Sequence, residues 1–140
     1  MNTVNTADYA AFALRVSTGI LFLAHGLMKV FVFTIPGTVG FFESIGFPAI
    51  LAYATIIGEV GGGLLLIAGV AVRLVSLALI PVLLGAAYVH SGNGWAFSAQ
   101  GGGWEYPVFW AVVQGAVAAL GAGAFALRIP ALDNKLGRLA

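Results

Sequence analysis

The sequence predicts an all-α integral membrane protein, a bundle of four transmembrane helices that run up-down-up-down. Hydrophobic residues form 61% of the 140 residues, charged residues only 8%, and the mean hydropathy is +1.03. A soluble domain carries about a quarter charged residues, so six basic and five acidic side chains cannot cover a surface exposed to water. The length fits one domain over residues 1–140.

Four apolar stretches approach the length of about 20 residues that a helix needs to cross about 30 Å of hydrocarbon. Short connections separate them, so no second domain fits between the helices. The predicted helices cover about residues 10–33, 48–72, 74–90 and 106–127. The predicted connections are two loops at about residues 34–47 and 91–105 and a tight turn at Arg73.

The distribution of lysine and arginine predicts the orientation of the bundle. With four spans, both termini and the turn between the second and third helices share one side of the membrane. That side carries Arg73, Arg128, Lys135 and Arg138, whereas the opposite side carries only Lys29. Because positively charged residues are retained on the cytoplasmic side, both termini are predicted to be cytoplasmic.

Polar residues at membrane depth are the first candidates for function, since an ionisable group there normally needs a partner or water. Helical periodicity places Arg15, His25 and Lys29 on one face of the first helix. Glu59 lies near the middle of the second helix, beside the run Gly61–Gly63, which allows close helix approach. We expect Glu59 to pair with Arg15, with His25 or Lys29 as alternatives. Such a pair either fixes only which helix faces meet or supplies a proton-active, catalytic carboxylate.

Two histidines and one glutamine extend the set of candidate ligand-binding residues. His25 and His90 lie toward the outer ends of their helices and could bind a quinone carbonyl, a haem or a metal, or simply bond at the wet interface. A haem is the weaker hypothesis, because nothing sets the two histidines face to face. No metal site is predicted, since no closely spaced set of ligands occurs. Gln114, in the fourth helix, either caps the polar pocket or joins helices.

The second loop carries Trp104, Glu105 and Tyr106 just before a helix. Its aromatic residues are typical of the headgroup region of a membrane, and an acidic residue at a helix N-terminus is stabilised by the helix dipole. The absence of cysteine excludes thiol chemistry and thiolate metal sites within these 140 residues. A net charge of +1 without a large basic patch argues against nucleic-acid binding.

Several motifs in this order resemble the DoxX family of small bacterial membrane proteins. The motifs are Arg15, His25-Gly26-Leu27-Met28-Lys29, Gly46-Phe47-Pro48, Glu59 with Gly61-Gly62-Gly63, Arg73 and Gly102-Gly103-Trp104-Glu105-Tyr106-Pro107. The resemblance implies a four-helix protein of the bacterial inner membrane with a link to redox physiology. Relatives in the wider group are subunits of thiosulfate:quinone oxidoreductase or accompany quinone detoxification and oxidative-stress defence. The family brings no agreed catalytic residue.

Three hypotheses of function follow. The first is a quinone-interacting subunit of a membrane redox system, in which Glu59 relays a proton and His25 or Lys29 binds a quinone carbonyl. The second is a non-enzymatic scaffold that anchors a soluble redox enzyme. The third is a small transporter or proton channel, which would need a homo-oligomer to form a pore.

Overall fold

The computed structural model describes residues 5–140, which form helices and irregular connections without a strand. This confirms the predicted all-α class. The six α-helices are α1 (Thr6–Phe31), α2 (Ile35–Ser44), α3 (Ala49–Ala68), α4 (Val72–His90), α5 (Glu105–Leu120) and α6 (Pro130–Leu136). Among the described residues, α1, α3 and α4 are long and apolar enough to cross a membrane, whereas α5 is shorter.

Helix α1 begins before the predicted residue 10 because a capping box precedes the apolar stretch. The Asn5 side chain accepts a hydrogen bond from the Asp8 backbone N–H at 3.0 Å, and the Asp8 carboxylate accepts one from the Asn5 backbone N–H at 2.9 Å. These reciprocal bonds satisfy N–H groups that have no partner inside the helix. The negative charge of Asp8 in the first turn also suits the helix dipole.

The predicted loop at residues 34–47 is wrong, because most of it forms α2. The Thr34 side chain accepts a hydrogen bond from the Gly37 backbone N–H at 3.2 Å, and Pro36 lies in the first turn. Both features are typical of a helix start. The hydroxyl of Thr38 donates to the Lys29 carbonyl at 3.1 Å, which holds α2 against the end of α1.

The predicted turn at Arg73 is displaced, because Arg73 is the second residue of α4. The chain turns between Ala68 and Val72. Gly69 has a φ of 80°, the left-handed conformation that ends many helices and that glycine adopts without strain. A side chain at Gly69 would also lie 3.0 Å from the Arg15 guanidinium carbon.

Helix α5, which corresponds to the fourth predicted helix, ends at Leu120 rather than near the predicted residue 127. Positive φ values at Gly121 (83°), Gly123 (64°) and Phe125 (54°) turn the chain out of the helix. The segment that follows lies between the start of α1 and the end of α3. Its backbone donates from Ala124 to the Asp8 carbonyl at 3.0 Å and from Leu127 to the Ala68 carbonyl at 2.9 Å. We call residues 121–127 the irregular segment.

Helices α1 and α3 pack closely along a line of small residues. A Cβ atom added at Gly63 would lie 2.7 Å from the Leu23 backbone nitrogen and 2.8 Å from the Gly19 carbonyl oxygen. Further along the same line, a Cβ at Gly26 would lie 2.6 Å from the Val60 side chain. Glycine therefore allows the two backbones to approach closely, as small residues do between membrane helices.

Helix α5 completes the bundle by packing against α1 and α4. Phe22 of α1 and Trp110 of α5 contact each other with ring centroids 4.5 Å apart. Their rings join the buried apolar core, which also includes Leu66, Val72 and Val117. Outward-facing positions are apolar as well: Ile57 is 71% exposed and Val112 66%. An apolar exterior around an apolar core is what a lipid environment requires.

Candidate functional site

Lys29 of α1 and Glu59 of α3 form an ion pair inside the bundle. The Lys29 Nζ donates to both carboxylate oxygens of Glu59, at 2.9 Å and 2.8 Å. The two side chains are 20% and 7% exposed. The expected pairing of Glu59 with Arg15 is therefore wrong, and the alternative partner Lys29 is observed.

Local packing explains why Lys29 reaches this carboxylate. Gly26 lies one turn before Lys29, and a Cβ there would lie 3.0 Å from the Glu59 Cβ. The absence of a side chain at Gly26 lets α1 lie directly against α3 at this level. Thr38 of α2 is not part of the ion pair. Its hydroxyl donates to the Lys29 carbonyl and so holds the end of α1 in place.

The ion pair opens onto an apolar groove between α3 and α4. The groove has a volume of about 1110 Å³. Its walls come from one face each of α3 and α4, and α2 crosses one end with its aromatic side chains. The aromatic residues that line it are Phe33, Phe41, Phe42 and Phe47.

The polar groups in the groove are few. Lys29 and Glu59 form the ion pair, and Thr38, Thr55 and His90 supply the other polar side chains of the lining. Small-molecule sites typically have volumes of about 300–1,000 Å³, apolar walls and a few polar groups that orient the ligand. The groove shares the apolar walls and the few polar groups, and its volume of about 1110 Å³ lies slightly above this range. It has room for a polar ring with part of an apolar tail.

Arg15 is buried elsewhere, and within residues 5–140 its hydrogen bonds go to backbone carbonyls, while its guanidinium carbon lies 5.1 Å from the centroid of the Phe12 ring. Its Nη1 donates to Leu66 at 2.9 Å and to Ile67 at 2.7 Å, both in the last turn of α3. Its Nε donates to Ala122 at 2.7 Å and its Nη2 to Ala124 at 2.9 Å, both in the irregular segment. The negative end of the α3 dipole suits a cation at this position. Arg15 therefore does not line the groove, and its predicted role in ligand binding stays a prediction.

The two histidines lie in different surroundings. The His25 Nδ1 bonds the Leu21 carbonyl at 2.8 Å, and its ring packs edge-on to Trp110 with centroids 5.2 Å apart. The His90 Nδ1 bonds the Gly101 carbonyl at 2.9 Å, and His90 lines the groove. Within residues 5–140, no three His, Cys, Asp or Glu side chains lie together where they could hold a metal ion.

Comparison with known proteins identifies the family. A model of the DoxX family matches residues 10–92, which include most of α1, all of α2 to α4 and both members of the ion pair. This chain belongs to the DoxX family. No solved structure matches this DoxX-family chain.

One curated relative gives a first link to chemistry. The Bacillus subtilis (strain 168) protein named "Putative oxidoreductase CatD" is 44% identical over 79 residues. The matched stretch is 56% of this DoxX-family chain and 58% of the relative, so the chain spans less than two thirds of that protein.

The remaining predicted site residues of this DoxX-family protein lie outside the groove. The Gln114 side-chain nitrogen donates to the Ser76 hydroxyl at 2.8 Å and joins α5 to α4. The Gln114 Oε1 and the Trp110 Nε1 are buried without a protein partner in the described part of the chain. Glu105 accepts a hydrogen bond from the Phe97 backbone N–H at 2.9 Å and so orders the second loop.

The aromatic neighbours of Glu105 pack within the same region. Trp104 lies edge-on to Trp95 with centroids 4.7 Å apart, and Tyr106 lies 5.7 Å from Trp110. They do not line the groove, which sequence reasoning missed as a whole. Two features of the sequence could have indicated the groove. One is the helix start at Thr34 and Pro36, which predicts α2. The other is the pair Gly58 and Gly62, which lie one turn apart on α3 and line the groove.

Proposed function

We propose that this DoxX-family protein is a quinone-interacting component of a membrane redox system. The observation that carries the proposal is the Lys29–Glu59 ion pair at the wall of a large apolar groove. A quinone combines two polar carbonyls with an apolar tail, and the groove offers a donor, a carboxylate and an apolar channel for these parts. The name of the relative, an oxidoreductase, supports redox chemistry as the context.

In this proposal Lys29 holds the quinone carbonyl oxygen. An ammonium group has three donors, and two N–H bonds to Glu59 leave one for a ligand. The oxygen gains negative charge as the quinone is reduced, so a cationic donor stabilises the product of the first electron transfer. The aromatic side chains of α2 flank the ring.

Glu59 delivers and collects protons in the same proposal. Conversion of a quinone to a quinol consumes two electrons and two protons. The electrons come from a soluble redox enzyme at the membrane surface, with which this chain acts as a subunit or accessory protein. A carboxylate beside the bound oxygen is placed for general acid–base transfer.

We further propose that the protein crosses the bacterial inner membrane four times, up-down-up-down, with both termini in the cytoplasm. Helix α5 has 16 residues, about 24 Å at about 1.5 Å per residue, which is short of a full crossing. The irregular segment completes the span, because non-helical backbone is tolerated at membrane depth where the protein itself satisfies it. Arg15 supplies donors for this backbone.

The test is quinone retention by the full chain, purified in mild detergent from quinone-containing membranes. Organic extracts are quantified by mass spectrometry as moles of quinone per mole of protein. We expect a stoichiometric quinone that is lost in Lys29→Met and in Glu59→Gln.

Matched controls exist for both variants. Lys135→Met and Glu43→Gln remove the same charges from exposed positions outside the groove, and both should retain the quinone. If the wild-type protein binds none, or all variants bind equally, the quinone proposal fails and the scaffold hypothesis leads. If the protein is a scaffold, the Glu59→Gln variant should still bind its soluble enzyme, and the activity of that enzyme per bound molecule should be unchanged.

A further inference from the structure

A second cavity lies at the other end of the bundle, where α1 and α4 begin and α5 ends. It has a volume of about 420 Å³ and a largely polar lining. Three arginines line it: Arg73, Arg128 and Arg138. Such a concentration is unusual in a chain with six basic side chains in total. We call this space the arginine cavity.

The arginine cavity carries an excess of positive charge. Its lining also contains Asp8 and the terminal residue Ala140, so two carboxylates face three guanidiniums. The Asp8 carboxylate already accepts the capping hydrogen bond from the Asn5 backbone N–H. Within residues 5–140 the ion pair is Lys29–Glu59, and none of the three guanidiniums pairs with a carboxylate.

Among the described residues, one of the three guanidiniums is held by hydrogen bonds and the other two have donors without a protein acceptor. Arg73 donates from Nη1 to the carbonyls of Ala118 at 3.1 Å and Ala119 at 2.9 Å, which anchors it on the end of α5. Arg128 and Arg138 are exposed and donate no side-chain hydrogen bond within the described part of the chain. Guanidinium groups present a planar fork of donors that matches the oxygens of a phosphate.

We propose that the arginine cavity binds a phosphate-type oxyanion. Gly121 in its lining lets the Arg73 guanidinium approach closely, because a Cβ there would lie 3.0 Å from the Arg73 Nε. In the proposed topology the cavity lies at the cytoplasmic end of the bundle, where the irregular segment reaches the lipid headgroups. An anionic phospholipid and a free phosphate share the required chemistry. The cavity is independent of the groove and of the quinone proposal.

The test measures the thermal unfolding midpoint of the full chain in a neutral detergent. One arm adds sodium phosphate against sodium chloride at equal ionic strength. The other arm adds short-chain phosphatidylglycerol against short-chain phosphatidylcholine. Apparent affinities come from titration of each additive. We expect saturable stabilisation by at least one phosphate compound and none by its matched control.

The variant Arg138→Gln tests the site, and Lys135→Gln is its control. Both changes remove one positive charge from exposed side chains near the end of the chain, but Lys135 does not line the cavity. Arg138→Gln should weaken binding about tenfold, which corresponds to about 1.4 kcal/mol. Lys135→Gln should leave the affinity unchanged.

The two arms distinguish the source of the phosphate group. Stabilisation by phosphatidylglycerol alone identifies a lipid headgroup, and stabilisation by inorganic phosphate identifies a soluble oxyanion; either supports the site if Arg138→Gln weakens it. Equal losses in Arg138→Gln and Lys135→Gln would show diffuse electrostatic attraction and overturn the proposal. So would the absence of stabilisation by both compounds.

Discussion

Arg15 and Lys29 lie on the same helix, about four turns apart, and both are cations in an apolar bundle. Arg15 is completely buried and binds four backbone carbonyls. Lys29 is 20% exposed and binds the Glu59 carboxylate at the wall of the groove. The two cations thus differ in their partners, and that difference separates a structural role from a candidate functional one.

The chemistry of the two side chains explains the division. A guanidinium has five N–H donors in a fixed plane and stays charged, which suits several carbonyls that no helix satisfies. An ammonium has three donors on a flexible stem. After two of them bind the Glu59 carboxylate, one donor remains for another group. A buried cation in this family member therefore needs to be interpreted by what it binds, not by its depth.

The largest expected effect comes from Arg15→Met, which tests the structural side of the comparison. The carbonyls of Ala122 and Ala124 would lose their Arg15 donors, at about 1–3 kcal/mol each. The Leu66 carbonyl would keep only the Gly69 backbone N–H. We expect the free energy of unfolding to fall by about 4 kcal/mol, measured by titration with sodium dodecyl sulfate in mixed micelles.

Arg15→Lys is the companion to that variant. It keeps the charge but supplies fewer donors, so its loss should be intermediate. If Arg15→Lys is as stable as wild type, charge rather than the carbonyl bonds stabilises this end of the bundle.

A double-mutant cycle on Lys29 and Glu59 tests the other side. Lys29→Met leaves an unpaired carboxylate that is 7% exposed, so we expect a loss of about 2 kcal/mol in the same titration. The double variant Lys29→Met/Glu59→Gln contains neither charge and should recover most of that stability without recovering quinone. If the double variant recovered both its stability and its bound quinone, neither charge would be needed for quinone binding, and the pair would serve helix packing alone.

Gly63→Ala tests the close packing of α3 against α1, the helix that carries both cations. The new Cβ would lie 2.7 Å from the Leu23 backbone nitrogen, so α1 and α3 must separate, and we expect a loss of about 1–2 kcal/mol in the same titration. Gly61→Ala is the matched control on the same helix, because nothing lies within 4 Å of its added Cβ. Similar stabilities for the two variants would contradict close packing at this seam.

The smallest expected effect is that of Arg73→Gln. Arg73 resembles Arg15 in binding the last carbonyls of a helix, here those of α5, but it is partly exposed. Water can replace its hydrogen bonds, so we expect a loss of about 1 kcal/mol or less in thermal unfolding. A loss as large as that of Arg15→Met would show that exposure does not distinguish the two arginines.

Local and periodic signals explain which predictions succeeded. Apolar stretches of sufficient length located the cores of α1, α3, α4 and α5, since hydropathy is a property of the stretch itself. Helix ends were less accurate, as at residues 121–127, where an apolar composition suggested more helix. Two glycines with positive φ and hydrogen bonds from Arg15 end it instead.

The sequence by itself determined the all-α class, the DoxX family and the set of polar residues that must be satisfied inside an apolar bundle. Periodicity also placed Arg15 and Lys29 on one face of α1. Only the tertiary structure decided which of them meets Glu59, because helical periodicity gives the angle of a side chain but not the level at which a neighbouring helix crosses it. That level is set by the contacts of Gly19, Gly26 and Gly63, which bring Glu59 to Lys29 and leave Arg15 to the backbone carbonyls.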